Sequence, residues 1–487
     1  MDARKRNITI ALMVAMFLGA VEGTVVTTAV PTIVKDLNGF ELISWVFSLY
    51  LLTSAVSTPI YGKLADLYGR KNTLSVGIII FLIGSCLCGL SQNMYQLIAF
   101  RTLQGLGAGS IFTITYTIVG DVFTLGERAR IQGWLSTVWG VASLMGPFLG
   151  GFLIDNLSWH WIFFINLPFG ILSVILLEKY LKEDFEKRKP KIDYLGSLVL
   201  SASIIILLYG FLTGEKSKIG YLYTITICMI ISLILFILFY FIEKNAKEPI
   251  IPFDIFTGTS TVVNIISFLS AAVLIAMDVY MPLYMQNVLG FKAMIAGLSM
   301  APMSIAWLAS SFILSKAIPK YGEKIVVLIS TLILLVSCLL LPTLGINSPL
   351  ILVVIYAFIM GFGFGGCFTT LTIVVQAAVD YPKRGVATST NSLVRTLGQT
   401  IAVSVFGGAF NLSIVKYFKD LGIKGVEPSN LYANGGLNGG VALSNIKASL
   451  NSGLHVIFII LILITVICVL LSLRLSSSLK NQEESQS

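Results

Sequence analysis

Many uninterrupted runs of about twenty apolar residues constrain the fold of this chain more than any other feature. Residues 192–213 and 219–242 are two of them. An α-helix needs about 20 apolar residues to cross the roughly 30 Å hydrocarbon layer of a bilayer. Composition agrees, because 56% of the 487 residues are hydrophobic and only 12% are charged, whereas soluble domains carry about 25% charged residues. The sequence therefore predicts an all-α polytopic membrane protein, and it excludes both a soluble enzyme and an outer-membrane barrel, whose strands alternate in hydrophobicity.

Charged or Gly/Pro-rich breaks divide the chain into fourteen predicted transmembrane helices, the first at 8–33 and the last at 454–473. The first run is too long for a secretory signal, so we expect it to be retained. An even number of spans places both termini on one side. Lysine and arginine collect in the loops on that side, such as 63–71 and 179–191, which identifies it as the cytoplasm. The net charge of +9 is thus a topology signal, and we expect no nucleic-acid partner.

Two stretches interrupt the regular series of short loops. The densely charged segment 182–193 is predicted to be a cytoplasmic linker, and the Gly- and Asn-rich segment 411–452 a long external loop. That loop either caps an external vestibule or forms a disordered connector. The predicted organisation is an N-terminal six-helix bundle at 1–181, the linker with two inserted helices at 182–258, a C-terminal six-helix bundle at 259–475, and a cytoplasmic tail at 476–487.

The chain also resembles itself. At an offset of 256 residues QGLGAG (104–109) aligns with MGFGFG (360–365), and Glu22 aligns with Asp278. At an offset of 253 residues GKLADLYGRK (62–71) aligns with the weaker copy SKAIPKYGEK (315–324). Ordered matches at nearly constant spacing indicate a duplication. Two six-helix halves in the same orientation are the architecture of alternating-access secondary transporters.

Three charged residues within predicted helices are candidates for proton coupling. A charge in a membrane helix costs several kcal/mol unless it is paired or hydrated. Glu22 lies roughly 14 residues into the first helix, near the midplane at 1.5 Å per residue, and we expect it to exchange a proton near neutral pH. Arg101 is expected to stabilise the deprotonated carboxylate, and Asp278 is the matching acid of the second half. For each acid, the alternative is a permanently satisfied structural hydrogen bond or ion pair.

The loop 62–71 has the features of a conformational latch. Asp66 and Arg70 are four residues apart and share one helix face. We expect Asp66 to lie against the positive N-terminal end of a later helix that begins near Gly385, and Arg70 to reach Asp121. Such contacts exist only when the halves meet on the cytoplasmic side, so they would latch an outward-open state; the alternative is a solvated turn. The predicted latch residues are Gly62, Asp66, Gly69, Arg70, Lys71 and Asp121.

Small residues and a proline characterise the fifth predicted helix. Gly146, Pro147, Gly150 and Gly151 permit close backbone approach and remove one backbone hydrogen bond. They predict a helix that packs tightly and bends, although a purely structural packing helix has the same pattern.

A sugar or an amino acid as substrate needs several converging polar groups, whereas a lipophilic cation needs aromatic faces, apolar volume and a carboxylate, and the predicted helices offer the second mixture. Aromatic side chains in membrane helices also face lipid or packing neighbours, so the set remains a hypothesis. The predicted cavity residues are Tyr50, Gln104, Phe112, Tyr116, Trp139, Asn264, Tyr280, Tyr284, Trp307 and Asn391.

Several of these motifs resemble one family. The loop 62–71, RTLQGLGAG (101–109), the helix-5 glycines, EGTVVTTAVP (22–31) and WHWIFFINLP (159–168) are similar to motifs of the major facilitator superfamily, specifically its fourteen-helix drug:proton antiporters of the EmrB/QacA type. The family's helix-1 motif more often begins with Asp, and its helix-6 motif usually has Arg where this chain has His160. The resemblance covers essentially the whole chain.

The resemblance implies two six-helix bundles plus two inserted helices, and a proton-coupled multidrug efflux antiporter in the plasma membrane of a bacterium. Its expected partners are protons, hydrophobic or cationic small molecules and membrane lipid. The protein is expected to be a monomer without a cofactor or metal. The exporter meaning of the helix-5 glycines comes from the resemblance alone.

Other functions remain as alternatives. Export or flipping of a lipid or amphipathic metabolite would use the same kind of cavity. A polytopic membrane enzyme is disfavoured, because the loop 411–452 holds Asp420 and Glu427 but no metal-like or nucleophile-plus-base arrangement. An ATP-driven pump is disfavoured because no P-loop is present, and a channel fits a duplicated chain with a charged latch less well. The six cysteines lie in apolar segments without metal-type spacing, so neither disulfides nor zinc are expected.

Overall fold

The computed structural model describes residues 3–37, 43–183, 193–213, 221–246, 249, 251–291, 293–380, 383–423 and 442–475. Regular secondary structure in these ranges is helical throughout, without a strand, which confirms the predicted all-α class. The α-helices are α1 (Ala3–Leu37), α2 (Ile43–Tyr68), α3 (Arg70–Gly89), α4 (Met94–Val122), α5 (Leu125–Asn156), α6 (Trp161–Phe164), α7 (Asn166–Tyr180), α8 (Tyr194–Thr213), α9 (Tyr221–Asn245), α10 (Gly258–Leu283), α11 (Ala293–Tyr321), α12 (Glu323–Leu340), α13 (Leu350–Ala377), α14 (Arg384–Asp420) and α15 (Leu443–Leu473).

Eleven helices within the described ranges are long and apolar enough to cross a membrane. The short α6 and α7 together form one of these spans, Trp161–Tyr180. Helices α2, α5 and α8 coincide with predicted spans but are not among the eleven, so the count of fourteen stays a prediction. The multi-pass membrane architecture itself is confirmed.

The helices on either side of the predicted external loop extend into it. Helix α14 continues to Asp420 and α15 begins at Leu443, because the amphipathic patch 414–421 prolongs the helical pattern and buries Ile414 and Phe418. The segment 424–441 of the predicted loop lies outside the described residues.

The chain forms two compact units. Unit 1 comprises Met1–Val263 with Leu371–Leu397, and unit 2 comprises Asn264–Thr370 with Gly398–Ser487. Each has its own packing and is described separately below. The predicted domain boundaries at 181 and 258 stay a prediction.

In unit 1, the three glycines of the QGLGAG motif let α4 pack closely on two helices. A Cβ atom at Gly105 or Gly109 would collide with the backbone of α2, at the carbonyls of Tyr50 and Ser54. A Cβ atom at Gly107 would collide with the backbone of α3 at Phe81. Helix α4 is therefore held between α2 and α3 at distances that only glycine permits.

In unit 2, the MGFGFG motif repeats this arrangement. A Cβ atom at Gly361 or Gly365 on α13 would collide with the α11 carbonyls of Met303 and Trp307, and one at Gly363 would come within 2.7 Å of the Leu334 side chain on α12. The first and third glycines thus face one neighbour and the second faces the other, as in unit 1. The duplication inferred from the sequence has a counterpart in packing.

The two copies of the loop motif also share a backbone feature. Gly69 precedes α3 with φ +93°, and Gly322 precedes α12 with φ +83°. Both angles lie in the left-handed region that a residue with a Cβ atom rarely adopts. These residues occupy matching positions at the offset of 253, so each unit makes the same sharp helix-to-helix turn.

The inserted helices α8 and α9 pack on each other and on α2. Ser232 Oγ of α9 donates a hydrogen bond to the Ser203 carbonyl of α8, at 2.9 Å. Leu200 of α8 and Phe239 of α9 belong to one buried apolar cluster with Leu52 of α2 and Val386 of α14. The pair is therefore part of the packing of unit 1.

Candidate functional site

A buried carboxylate lies in the middle of α1. Glu22 is 1% exposed, and each of its two oxygens has a donor. Its Oε1 forms an ion pair with Arg101 Nη1 of α4, and its Oε2 accepts a hydrogen bond from Asn166 Nδ2 of α7 at 2.6 Å. The structure thus brings together Glu22 and Arg101, which the sequence had assigned to one proton site, and encloses both.

Arg101 is held by several groups besides the carboxylate. Its Nη1 also donates to Gln104 Oε1 at 2.8 Å, one helical turn along α4. Its guanidinium carbon lies 4.1 Å from the centroid of the Tyr50 ring, within the range of a cation–π interaction. Burying a charged guanidinium is costly unless such partners surround it. Tyr50 and Gln104, predicted to contact substrate, are therefore neighbours of the charged pair.

Asn166 also belongs to this site, although in the sequence it is only one residue of the motif at 159–168. It is 2% exposed and opens α7. Its Nδ2 also donates to Ser85 Oγ of α3, at 2.9 Å. The signal that was available is an asparagine inside a strongly apolar span, since such side chains are buried only where they find partners.

Asp278, the second predicted acid, has different surroundings in unit 2. It lies on α10, and its side chain is exposed. Four residues further, Pro282 lies in the last turn of α10, and a π-helical turn follows at Tyr284–Val288. The two acids aligned by the repeat thus differ, since Glu22 is enclosed and paired with an arginine, whereas Asp278 is exposed.

A second charged cluster lies at the end of unit 1 predicted to be cytoplasmic, built on Arg70. The Arg70 side chain is 2% exposed and contacts two carboxylates: Nη2 lies 2.8 Å from Asp66 Oδ1, and Nε lies 2.9 Å from Asp121 Oδ2. Its Nη1 donates to the Ala65 carbonyl at 3.1 Å. The guanidinium therefore joins the end of α2 to the end of α4.

The start of α14 completes this cluster. Asp66 Oδ2 accepts a hydrogen bond from the Val386 backbone nitrogen at 3.1 Å, and a Cβ atom at Gly385 would lie 2.5–2.9 Å from the Asp66 carboxylate. On the neighbouring turn, a Cβ atom at Gly62 would collide with the Ser389 side chain. Gly62 and Gly385 thus allow α2 and α14 to approach closely, and this approach lets Asp66 reach the N-terminus of α14.

Arg384 ties the same end of α14 to α4. Its Nη1 donates to the Gly120 carbonyl at 3.0 Å and lies 3.6 Å from Asp121 Oδ1. Asp121 therefore contacts two arginines, Arg70 and Arg384.

Glu183, near the start of the predicted linker 182–193, is a further member of the cluster that the sequence did not reveal. Its two carboxylate oxygens accept from the backbone nitrogens of Arg70 and Lys71, at 3.0 and 3.1 Å. These nitrogens open α3 and have no partner within their own helix. Lys71 Nζ in turn lies 2.6 Å from Glu178 Oε2. The beginning of the linker thus caps α3.

The end of α1 that is predicted to be cytoplasmic is joined to α5 through Lys5 and Glu127. Lys5 Nζ lies 2.7 Å from Glu127 Oε2, and Glu127 also accepts from the Thr124 backbone nitrogen in a capping box. The Lys5 hydrogen bond, together with that from Thr124, lowers the pKa of the Glu127 carboxyl below its ordinary value.

Gly146, one of the helix-5 glycines, packs against α1 at Thr24, two residues after Glu22. A Cβ atom at Gly146 would collide with the Thr24 side chain of α1, and Thr24 Oγ1 donates to the Ala142 carbonyl at 3.1 Å. Gly150 is buried, and Pro147 and Gly151 lie within the same helix. Helix α5 therefore follows α1 closely beside the carboxylate.

The remaining cavity candidates of unit 1 lie on three helices. The rings of Phe112 and Trp139 are stacked with centroids 5.3 Å apart, and Trp139 is 41% exposed. The Tyr116 carbonyl accepts from Gln376 Nε2 at 2.8 Å. Asn391 is buried on α14.

Unit 2 holds the other aromatic candidates in its interior. Trp307 stacks on Phe368 with centroids 5.4 Å apart, Tyr280 packs against Phe410, and Asn264 is buried. Tyr284 is fully buried, and its hydroxyl donates to the Gly345 carbonyl at 2.6 Å. Contact of these residues with substrate stays a prediction.

No metal-type cluster of three or more His, Cys, Asp or Glu side chains occurs among the described residues. All six cysteines are free thiols.

Comparison with known proteins gives a consistent picture. The chain is 36% identical over 407 residues to Multidrug resistance protein 3 of Bacillus subtilis, covering 83% of this chain and 80% of that protein. It is 30% identical over 400 residues to the multidrug efflux pump SdrM of Staphylococcus aureus, covering 82% and 88%.

Among solved structures, the human organic anion transporter MFSD10 (TETRAN) superposes with a TM-score of 0.66 at 12% identity, covering 96% of this chain and 100% of that one. That likeness shows the fold. The profile of the Major Facilitator Superfamily matches residues 12–403. Because the family match spans most of the chain, and the match to these relatives covers 80% and 88% of their lengths, the chain belongs to the major facilitator superfamily.

Proposed function

We propose that this protein is a multidrug efflux transporter that exports hydrophobic or cationic compounds in exchange for protons. It is a transporter of the fourteen-helix EmrB/QacA type, acts as a monomer in the bacterial plasma membrane, and has both termini in the cytoplasm. The relatives include a multidrug resistance protein and a multidrug efflux pump, which supports the efflux part of this proposal.

The observation that carries proton coupling is the enclosed Glu22–Arg101 pair. A carboxylate in the middle of an apolar helix is costly unless paired, and a proton is the one ligand that removes its charge. In this conformation Glu22 is closed off from solvent. Proton exchange therefore requires a second conformation in which water reaches the carboxylate, as alternating access provides.

The Arg70 cluster supports the conformational part of the proposal. Its contacts join the ends of α2 and α4 to the beginning of α14, and they persist only while these ends touch. Gly62, Asp66, Gly69, Arg70, Lys71 and Asp121 then act as a latch for one of the two access states. Breaking it is expected to redistribute those states rather than to unfold the protein.

Substrate enters this scheme as a lipophilic cation. The aromatic candidates supply faces that attract such a cation, and Asp278 supplies an exposed carboxylate in the second unit. Protonation of Glu22 or Asp278 from outside releases the compound, so compound and proton compete.

Transport into everted vesicles tests this function. An imposed pH gradient is expected to drive ethidium uptake by the wild type, and Glu22→Gln is expected to abolish the gradient-driven part. Asp278→Asn is the parallel variant of the other unit. If the Glu22–Arg101 pair is permanent and structural, Glu22→Gln takes up ethidium in response to the gradient as the wild type does, and Glu22 is not the coupling acid.

A further inference from the structure

Asn166 joins three helices at the carboxylate of Glu22. Its Nδ2 donates to Glu22 Oε2 of α1 at 2.6 Å and to Ser85 Oγ of α3 at 2.9 Å. Ser85 Oγ itself donates to the Phe163 carbonyl at 2.8 Å, so its only proton points away from Asn166. Ser85 thus presents a lone pair, which requires the NH₂ group of Asn166 on that side.

This orientation suits an ionised carboxylate. Oε1 of Glu22 is occupied by Arg101, and Asn166 supplies a neutral donor to the other oxygen where no water reaches. All of the groups involved are buried: Glu22 and Arg101 are 1% exposed, Asn166 is 2% exposed, and Ser85 is fully enclosed. Without Asn166, Oε2 would lack this donor, and a buried unsatisfied oxygen is costly.

A protonated Glu22 needs a different partner, because its carboxyl becomes a hydrogen-bond donor. An asparagine side chain carries both a donor group and an acceptor oxygen at its end. Half a turn of the amide about its last bond presents Oδ1 to the Glu22 hydroxyl, while the neighbouring Ser85 hydroxyl can rotate to donate to the same oxygen. Few other side chains of this size satisfy the carboxyl in both states.

We propose that Asn166 is a positioning residue of the proton site: its amide turns over as Glu22 gains and loses its proton, and it thereby sets the pH at which transport is coupled. The inference rests on the proposed function, since it assigns Glu22 a proton that comes and goes.

Ser173 provides a matched control on the same helix face. It lies seven residues after Asn166 on α7, is fully buried, and donates from Oγ to the Ala11 carbonyl of α1 at 3.1 Å. Ser173 therefore ties the same two helices together without touching a charged group. Any effect of weakening the α1–α7 contact alone appears in Ser173→Ala as well.

The experiment compares pH profiles of gradient-driven ethidium transport in proteoliposomes. Asn166→Leu keeps the shape of the side chain but removes both the donor to the ionised carboxylate and the acceptor for the protonated one. Because the hydrogen bond to the charged form is the stronger of the two, the midpoint is expected to move to higher pH by about one unit. Ser85→Ala frees the amide and is expected to give a smaller shift in the same direction. Ser173→Ala is expected to leave the midpoint where the wild type has it.

A second readout does not depend on transport. In infrared difference spectra between acidic and alkaline pH, the C=O stretching band of protonated Glu22 disappears in Glu22→Gln. In Asn166→Leu it moves to higher frequency, because the Glu22 hydroxyl has lost its acceptor. If Asn166→Leu does not fold, Asn166→Asp takes its place in the experiment. The new carboxyl at position 166 shares a proton with Glu22, so the midpoint of the pH profile is again expected to rise.

The outcomes separate the two levels of inference. Gradient-driven transport by Glu22→Gln refutes Glu22 as the coupling acid, and the role of Asn166 with it. If Glu22→Gln is uncoupled while Asn166→Leu has the midpoint and infrared band of Ser173→Ala, the proposal for Asn166 alone is overturned.

Discussion

A methyl group at Gly385 is expected to open the contact between α2 and α14. In Gly385→Ala the new Cβ would lie 2.5–2.9 Å from the atoms of the Asp66 carboxylate, closer than nonbonded carbon and oxygen atoms approach. Asp66 cannot move aside freely, since Arg70 Nη2 holds its Oδ1 at 2.8 Å. The contact is relieved when Asp66 gives up its other bond, to the Val386 nitrogen.

The size of the effect follows from the bond that is lost. A hydrogen bond to a charged group contributes about 1.5–3 kcal/mol. Every 1.4 kcal/mol changes an equilibrium constant tenfold, so the population with α2 and α14 apart is expected to rise about 10- to 100-fold.

Thiol labelling measures this population. Ser389 is fully buried on α14 against Gly62, so Ser389→Cys in a background without native cysteines reacts with a maleimide only when the helices part. The labelling rate is expected to rise by the same factor in Gly385→Ala. The control is Gly126→Ala in the first turn of α5, where a Cβ atom meets nothing within 4 Å. Equal labelling rates in the two variants would refute the reasoning.

Three further outcomes are expected. Glu22→Gln and Arg101→Gln are each expected to lower the free energy of unfolding by about 3–5 kcal/mol, because each leaves a buried partner unpaired. In SDS titrations followed by tryptophan fluorescence, the double variant is expected to lose less stability than the sum of the two single variants. Additive losses would contradict the pairing. Gly107→Ala lowers the thermal transition, since overpacking costs about 1–3 kcal/mol, and an unchanged transition would contradict the close α3–α4 packing. Lys5→Met destabilises the protein at neutral pH and loses this effect in acid. Because the pKa of the Glu127 carboxyl is lowered in the folded protein, its contacts stabilise the fold at pH values above the ordinary pKa of a glutamate, and this stabilisation disappears as the pH falls through the lowered pKa. A difference in thermal transition between Lys5→Met and the wild type that does not depend on pH would exclude the mechanism.

The sequence predicted the helical elements because the bilayer imposes one strong rule. Apolar length alone located segments such as α9 and α12, and charge breaks marked their ends. Glycine spacing went further, because the alignment of Gly105, Gly107 and Gly109 with a later glycine motif revealed the repeat. These features are local, so a single sequence contains them.

Partners distant in sequence were harder to predict. Asn166 lies 144 residues from Glu22 in the sequence, and neither the α1 sequence nor the α7 sequence indicates which face of α7 contacts α1. The approach of Asp66 to Gly385 was predictable only because a helix N-terminus near a charged loop suggests a carboxylate. Glu183 looked like one of many charges in a linker, and its capping role depends on where that linker leaves α7.

The place of Glu183 also decides where the polypeptide can be divided. A chain cut after residue 181 would separate the first six predicted spans from the carboxylate that caps α3, leaving the turn at Gly69 without its anion. A cut after Glu183 would keep that cap with its helix. Co-expressed fragments that begin and end a few residues apart should therefore differ in their ability to reassemble, so the connector contributes its first residues to the fold of the half that precedes it.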